Sequence, residues 1–446
     1  MKISRLISAG CLTATVAVAA SSVPVTFDKD VLPILQSNCQ SCHRPGEVAP
    51  MSLLTYQDAR PWAKAIKTAL LNHQMPPWFA DPKIGHFAND RALKEADIQT
   101  IVAWADNGAP KGNPADAPPP LKFEDGWNLQ PDLVIEMPRD FAVKATGTIN
   151  YQYIRVKGNI ARDLWVSEAE MRPGNPAVLH HGKVWVVPPG SHWMEDAEYG
   201  VAYEAGMGRN TTEEGNDILG KFNPGLGAQT FEVNGSAKLV PKGSDFVFEM
   251  HYTATGKPTT DRSKLGLVLA KTAPASRYFL SAGPTASNLV IPAGDGNAEV
   301  VSEVTVGLPD AKLVYAQPHM HLRGKDFELR AIYPTGETET LFKAKFDFNW
   351  QLGYQFAKPI PLPQGTRLLG ISHFDNSVNN RFNPDPSQEV RWGPQNWDEM
   401  SNCFVGLVFG VDDDPARLFY RSGVSLQPRG TAGPKLVDVQ LTAAAH

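Results

Sequence analysis

Short stretches in which apolar and polar residues alternate run through the chain from about residue 130 onward. DLVIEM at 132–137 and DFVFEMHYT at 245–253 are typical. Alternation with a period of two predicts half-buried strands, and the Gly and Pro between such stretches predict the turns of antiparallel β-sandwiches. VIPAGDGN at 290–297 begins a second set of strands. We therefore expect two all-β sandwich domains, over residues 130–281 and 282–446.

The pattern ahead of residue 112 is helical instead. Apolar residues recur at helical spacing in TYQDARPWAKAIKTALL at 55–71 and in LKEADIQTIVAWADNGAP at 93–110. These stretches predict a small all-α domain over residues 24–112. Residues 113–129 are rich in Pro and Ala and lack periodicity, which predicts a semi-rigid linker.

The first residues have the pattern of a signal peptide. Lys2 and Arg5 precede an apolar run that ends in small residues suited to cleavage. Lipidation at Cys11 is disfavoured because the apolar run continues past it. We expect residues 1–20 to be removed and the protein to be located in the periplasm or otherwise exported.

Net charge, the length of apolar stretches and the cysteine count exclude several classes of protein. The net charge of -5 leaves no basic surface for nucleic acid. No stretch beyond the signal peptide approaches the ~20 apolar residues of a transmembrane segment. Of the four cysteines, Cys11 leaves with the signal peptide, and Cys403 has only Cys39 and Cys42 to pair with. We therefore expect no disulfide framework.

SNCQSCHRPG at 37–46 contains C-x-x-C-H, the attachment motif of c-type haem. In this motif Cys39 and Cys42 reach the two vinyl groups of one haem, and His43 lies under the iron as an axial ligand. A redox disulfide and half of a zinc site are the alternatives. The adjoining His, the export signal and the lack of a second C-x-x-C disfavour both. We therefore predict a covalently bound haem c.

The second axial ligand is predicted to be Met75 in LLNHQMPPW, where Pro76 and Pro77 hold the backbone extended. His73 is the rival ligand. A Met opposite a His raises the haem potential, which suits an electron carrier. Through CHRPG, MPPW and AWADNGAP, residues 24–112 resemble a small cytochrome c domain, which implies an all-α haem domain.

Three histidines are candidate metal ligands in the first half of the strand-rich region. His180 and His181 are adjacent in AVLHHGKVWVV, and His251 lies near the end of a predicted strand. Adjacent residues on a regular strand point to opposite faces. His180 and His181 can therefore share a metal ion only at a bulge or a strand end.

A second candidate set lies further along the chain. His319 and His321 in YAQPHMHLRG are two residues apart and so project from the same face of a strand. A third ligand is needed, and Met400 stands just ahead of an apolar strand. By itself Met400 is more typical of a hydrophobic core than of a metal site.

Five sequence elements together resemble the copper type II, ascorbate-dependent monooxygenases, which include the peptide α-hydroxylating and dopamine β-hydroxylating enzymes. In chain order they are HH at 180–181, HY at 251–252, HxHxxGK at 319–325, DNS at 375–377 and EM at 399–400. The resemblance covers roughly residues 130–440 and implies two jelly-roll domains. It implies one copper ion held by His180, His181 and His251, and a second, catalytic copper ion held by His319, His321 and Met400.

The resemblance also implies a chemistry. In that family the Met-bearing copper binds dioxygen and substrate and removes hydrogen from a C–H bond, the all-histidine copper stores the second electron, and ascorbate supplies the electrons. The ligand types agree with copper independently of the resemblance. Imidazole suits several metals, but a thioether favours Cu(I) over Zn. We expect the haem to pass electrons to the two copper ions, replacing or relaying ascorbate.

The chain departs from the family at the predicted substrate site. Gln317 and Phe404 stand where the peptide-amidating members place an Arg and a Tyr that hold the substrate carboxylate. A peptide carboxylate would lack its charged partner, which disfavours peptide amidation. Ser401 stands where a disulfide-forming Cys often follows the Met, so stability must come from the sandwich cores.

The leading interpretation is an exported monooxygenase with haem c and two copper ions, acting with O2 on an unknown small organic substrate. Ascorbate or a donor protein would supply the electrons. The alternatives are a periplasmic copper-binding electron carrier without hydroxylation, and metal-free sandwiches that bind carbohydrate or a partner. His373 in ISHFDNS lies near the second ligand set in sequence, and is either a neighbour of that set or part of the core.

Overall fold

The computed structural model describes residues 24–47, 49–123, 126–204, 217–421, 424–427 and 435–438. The predicted signal peptide lies outside these ranges. Within them, none of the helices has both the length and the apolar character needed to cross a bilayer. The predicted absence of a transmembrane helix is therefore confirmed for the described part of the chain.

The helices lie in the N-terminal part of the chain. They are α1 (Leu32–Asn38), α2 (Tyr56–Ala59), α3 (Ala63–Leu71) and α4 (Glu95–Asp106). A π-helical turn precedes α1, one 3₁₀ turn follows α2, and another (Pro114–Asp116) lies at the start of the linker. Thr55 begins α2 by accepting a hydrogen bond from the backbone N–H of Asp58. The helices enclose a small core in which Phe27 packs against the fully buried Trp104.

The strands of the first half are β1 (Leu133–Glu136), β2 (Phe141–Val143), β3 (Gln152–Val156), β4 (Leu164–Arg172), β5 (Leu179–Val187), β6 (Ala202–Glu204), β7 (Ile218–Phe222), β8 (Gln229–Thr230), β9 (Ser236–Val240), β10 (Asp245–Tyr252), β11 (Thr259–Asp261) and β12 (Lys264–Leu269). A five-stranded sheet, in the order β6-β3-β10-β5-β7, packs against β4, β9 and β12. Strand β10 is the central strand of this sheet, and seven of its eight residues are buried.

The strands of the second half are β13 (Ser276–Thr285), β14 (Val290–Ile291), β15 (Ala298–Val306), β16 (Asp310–His319), β17 (Gly324–Ile332), β18 (Thr338–Lys345), β19 (Tyr354–Pro363), β20 (Arg367–Phe374), β21 (Val390–Arg391), β22 (Asn402–Phe409), β23 (Phe419–Arg421), β24 (Val424–Gln427) and β25 (Lys435–Asp438). A second five-stranded sheet has the order β18-β17-β20-β15-β23. Strands β13, β16, β19 and β22 cover it.

One sheet joins the two halves. Its path is β1-β12-β4-β9-β13-β22-β16-β19, with β8 beside β4 as a ninth strand. The link is β13, which pairs in parallel with β9 of the first half and antiparallel with β22 of the second. Backbone hydrogen bonds of β13 therefore connect the β structure of the first half to that of the second half.

The predicted fold class, an all-α cytochrome c domain followed by two jelly-roll sandwiches, is wrong. The described N-terminal residues form only short helices, the longest of 12 residues. The segment between α3 and α4 joins the β structure, since Ala80 bridges to Ala344 and Phe87 bridges to Phe356. Trp78 packs on Tyr354 with the ring centroids 4.8 Å apart. Trp78 and Phe87, which the sequence pattern assigns to the helical domain, are thus partly buried against the second half, where they remove apolar surface from water.

Candidate metal centre

The structure brings His180, His181 and His251 together. One nitrogen of each ring lies within 4.8 Å of the others. His181 and His251 are direct partners on β5 and β10, while the next pair joins Tyr252 to Leu179 and leaves His180 unmatched. This β-bulge turns His180 to the same side as His181. It is the irregularity that two adjacent histidines need if they are to share a metal ion.

Hydrogen bonds orient the three rings. The Nδ1 atoms of His180 and His181 are 3.0 Å apart, so one donates to the other or both face a cation. The Nε2 atom of His181 lies 2.9 Å from the hydroxyl of Tyr151, whose ring also stacks on His251 at 4.4 Å. The buried Nδ1 of His251 has no hydrogen-bond partner. A buried imidazole nitrogen with a free lone pair fits a metal ligand.

In His319 and His321 the hydrogen-bonded ring nitrogen is Nδ1, whereas in His251 the Nδ1 atom is the one without a partner. The Nδ1 atom of His319 lies 2.5 Å from Oε1 of Gln351, and Nδ1 of His321 lies 3.3 Å from the carbonyl oxygen of Asp398. Both acceptors require a hydrogen on Nδ1, which leaves Nε2 free. The Nε2 atom of His321 is buried and has no partner. This pair therefore also fits a metal site.

Met400 lies just before β22, which pairs with β16; His319 is the last residue of β16, and His321 follows its end. His319 is the register partner of Asn402, whose side-chain amide lies 3.8 Å from the Met400 sulfur. Glu399 holds the segment in place, because its carboxylate accepts the backbone N–H groups of His321 and Arg323 at 2.8 and 2.7 Å. Burial raises the pKa of Glu399 to about 8. Met400 is half-buried, two residues before the register partner of His319, and is the candidate thioether ligand.

The two ligand sets form one group, named here the five-histidine cluster: His180, His181, His251, His319 and His321. The ring centroids of His181 and His319 are 6.1 Å apart. Phe348 packs between the sets, stacked on His180 at 5.0 Å and edge-on to His321 at 6.5 Å. The ligands predicted for one site in each half of the chain are therefore adjacent in space.

Burial favours the neutral form of the imidazoles in the cluster. Burial is the largest cause that lowers the pKa of each of the five imidazoles, and neighbouring histidines lower it further for His181, His251, His319 and His321. The pKa of His251 falls to about 3 and that of His321 to about 4. Neutral imidazole is the form that binds transition metals.

The C-x-x-C-H motif forms a tight turn after α1. The backbone N–H groups of Cys42 and His43 both donate to the carbonyl of Cys39, and the thiols of Cys39 and Cys42 are not joined in a disulfide. The Nδ1 atom of His43 lies 3.3 Å from the carbonyl oxygen of Met51, which leaves Nε2 for an iron ion. Two free thiols and an oriented imidazole fit the attachment of haem c. Met75 is half-buried on a separate segment after α3, where the Met75–Pro76 peptide bond is cis.

Ion pairs fasten this turn to the first half of the β structure. Glu47 pairs with both Arg44 and Arg172 at 2.9 Å. A cavity of about 270 Å³ lies here, and its lining includes Cys42 and Met171. The methyl group of Met171 lies 2.7 Å from the position that a Cβ on Gly182 would occupy. Gly182 follows His181 on β5, so Met171, which shares this cavity with Cys42, also approaches the strand that carries His181.

Gln317, which stands where the peptide-amidating enzymes have an Arg, contacts the buried Lys221. Gln317 accepts hydrogen bonds from the ammonium group of Lys221 and from the hydroxyl of Tyr315, the latter at 3.2 Å. Lys221 is fully buried, and burial lowers its pKa well below the ordinary value. Its ammonium group lies 5.1 Å from the ring centroid of Phe404. The two substituted positions are thus packed around one lysine.

Sequence reasoning did not identify Tyr151, Phe348 or Gln351, which contact the cluster from distant segments and belong to no motif. His373 lies apart from the cluster on β20. Its ring nitrogens face Asp326 at 2.7 Å and Glu299 at 3.4 Å, on the two neighbouring strands. His373 is therefore part of an acidic surface group rather than of the core.

Comparisons with known proteins add little. No family model matches the chain, and no curated protein matches it. Among solved structures, the VP2 subviral particle of infectious bursal disease virus has a TM-score of 0.22 and 11% identity, over 65% of this chain and 75% of that chain. PNGF-II has a TM-score of 0.29 and 11% identity, over 61% of this chain and 65% of that chain. These scores support no argument about function.

Proposed function

We propose that the protein is an exported oxidoreductase with haem c and copper that hydroxylates a C–H bond of a small organic substrate with O2. The observation that carries the proposal is the five-histidine cluster, in which the buried nitrogens His251 Nδ1 and His321 Nε2 have no hydrogen-bond partner. Unpaired polar atoms in a buried site indicate a ligand. The likeness of the sequence elements to the copper type II monooxygenases gives the reaction class.

The donor set favours copper. His180, His181 and His251 would hold one ion, and His319, His321 and Met400 the other. Copper bound there would supply one-electron redox chemistry. Five imidazoles alone would also suit zinc, but a thioether favours Cu(I). Cys39, Cys42 and His43, with Met75 as a further proposed ligand, would hold haem c, which would supply one-electron transfer.

The overall reaction sets what the protein must provide. One substrate C–H bond and one O2 molecule, with two electrons and two protons, give an alcohol and water. A one-electron donor such as ascorbate or a donor protein supplies the electrons. Met171 shares a cavity with Cys42 and also approaches Gly182 next to His181, so electrons from the haem would pass along this side of β5.

The residues of this chain have distinct tasks in the reaction. Tyr151 and Gln351 orient imidazoles, and Glu399 holds the segment that carries Met400. Phe348 covers the space between the two ligand sets and excludes water from it. Gln317 stands in place of the Arg that binds the substrate carboxylate in the peptide-amidating enzymes, and its Oε1 atom accepts a hydrogen bond from Lys221 instead. The proposed substrate is therefore not a peptide carboxylate.

Oxygen uptake tests the proposal. The mature protein, loaded with copper and supplied with a reductant, should consume O2 faster when a panel of small organic compounds includes a substrate, with one alcohol formed per O2. Stopped-flow mixing should oxidise the reduced haem when the copper is added as Cu(II). His373→Ala serves as the matched control, and His321→Ala should abolish the stimulation. Stimulation that survives in His321→Ala would refute the assignment.

A second candidate function is electron transfer without hydroxylation. Burial favours it, since His181, His251, His319 and His321 are each less than 9% exposed. A closed cluster suits electron storage better than substrate access. In this case copper would bind and the haem would be oxidised, but no added compound would accelerate oxygen uptake.

A further inference from the structure

We propose that Gln351 is a positioning residue, which holds the hydrogen of His319 on Nδ1 so that Nε2 faces the five-histidine cluster. The inference deepens the proposed function, because it explains how one ligand nitrogen is selected. It rests on the metal-binding proposal for its purpose, but the orientation itself is a property of the metal-free protein.

The contact between the two side chains is short and buried. The Nδ1 atom of His319 and the Oε1 atom of Gln351 are 2.5 Å apart. His319 is 7% exposed and Gln351 is 3% exposed, so water does not compete for either atom. A hydrogen bond in such surroundings is stronger than one in water.

The amide of Gln351 is fixed in the orientation that accepts. Its Nε2 atom donates to the carbonyl oxygen of Phe348 at 3.4 Å, which turns Oε1 toward His319. The backbone carbonyl of Gln351 accepts a hydrogen bond from Nε2 of Gln317 at 2.7 Å. Gln317 is oriented in turn, because Tyr315 and Lys221 both donate to its Oε1 atom. The backbone carbonyl and the Nε2 atom of Gln351 are thus engaged elsewhere, and its Oε1 atom is the acceptor that faces His319.

A neutral imidazole carries its hydrogen on either nitrogen, and only the other nitrogen can bind a metal ion. An acceptor at Nδ1 selects Nε2 as the ligand atom. The contrast with His181 supports the idea, since there the Tyr151 hydroxyl lies at Nε2 and Nδ1 faces His180. The two buried partners thus lie at opposite ring nitrogens in the two halves of one cluster, and of the two only the amide oxygen of Gln351 is restricted to accepting.

The test compares Gln351→Leu, which removes the acceptor, with Gln351→Glu, which keeps it. Asn349→Ala is the control, because Asn349 is exposed on the same loop and bonds only to Asp347. The full-length, metal-free protein with ¹⁵N-labelled histidine is studied by long-range ¹H–¹⁵N NMR at alkaline pH, and circular dichroism checks that each variant is folded. His319 is assigned by its loss in His319→Ala.

We expect His319 to carry its hydrogen on Nδ1 in the wild type, in Gln351→Glu and in Asn349→Ala, and to become a mixture of both forms in Gln351→Leu. Copper affinity, measured on the same proteins with a competing chelator, should fall ~10–100-fold in Gln351→Leu alone. An unchanged His319 signal in Gln351→Leu would overturn the inference, as would a Gln351→Glu variant that behaves like Gln351→Leu. A wild type that binds no copper but keeps the Nδ1 hydrogen would instead refute the proposed function and leave the inference standing.

Discussion

The rings of His181 and His319 lie with their centroids 6.1 Å apart, although 138 residues separate them and they belong to different halves of the chain. Their strands, β5 and β16, are in different sheets. The relationship exists because β13 joins the halves through one sheet and fixes their relative position. Two ligand sets that the sequence resemblance assigns to separate sites are thereby held as one cluster.

Acid should destabilise the metal-free protein. The folded-state pKa values of His251 and His321, about 3 and 4, lie below the unfolded value of 6.5. The unfolded chain therefore binds more protons between these values, so the free energy of unfolding falls as pH decreases from 6.5 toward 4. The slope is up to ~1.4 kcal/mol per pH unit for each such histidine. Urea unfolding across this range measures it.

The matched variant for this prediction is His251→Gln, which removes one of the depressed groups. Its stability should depend less steeply on pH than that of the wild type. A slope equal to that of the wild type would show that other groups cause the acid sensitivity.

Tyr151→Phe should weaken copper binding by the first ligand set. The change removes the hydroxyl that lies 2.9 Å from Nε2 of His181 but keeps the ring that stacks on His251. Loss of such a partner lowers metal affinity ~10-fold or more. Chelator competition measures the effect, with Tyr203→Phe on β6 as the control. Equal affinity in both variants would argue that the hydroxyl has no role in orienting His181.

Glu47→Ala should loosen the C-x-x-C-H turn from the β structure without preventing haem attachment. Glu47 connects the turn to Arg172 at 2.9 Å, whereas Cys39, Cys42 and His43 make no ion pair with it. We expect haem staining equal to that of the wild type, but slower oxidation of the reduced haem by bound Cu(II) in stopped flow. The control is Lys67→Ala, which breaks the Lys67–Asp106 pair within the helical region. Similar slowing in the two variants would count against a docking role for Glu47.

The local features of the site were accessible from sequence, and the non-local ones were not. The sequence predicts that His319 and His321 share one face of a strand, but β16 ends at His319 and His321 lies just beyond it. The need for a bulge at His180 followed from the same rule, and β5 has one there. Gln351 and Tyr151 gave no signal, because their contacts with the cluster depend on loop and strand positions that only the folded chain defines.

The error in the fold class has a similar cause. Helical spacing at 55–71 and 93–110 does correspond to helices. Trp78 and Phe87, between them, were assigned to the same helical domain because they were close in sequence. In the structure their rings pack on Tyr354 of the second half. Periodicity reports the local conformation of a segment but not which distant surface buries it.

The central claim is that the five-histidine cluster and Met400 hold copper while the C-x-x-C-H turn carries haem. Metal analysis of protein matured in the periplasm tests it most directly. The account predicts one iron and two copper ions per chain, with copper lost from a variant in which His181 and His319 are both changed to Ala and iron unchanged. Zinc in place of copper, or copper retained by that double variant, would contradict it.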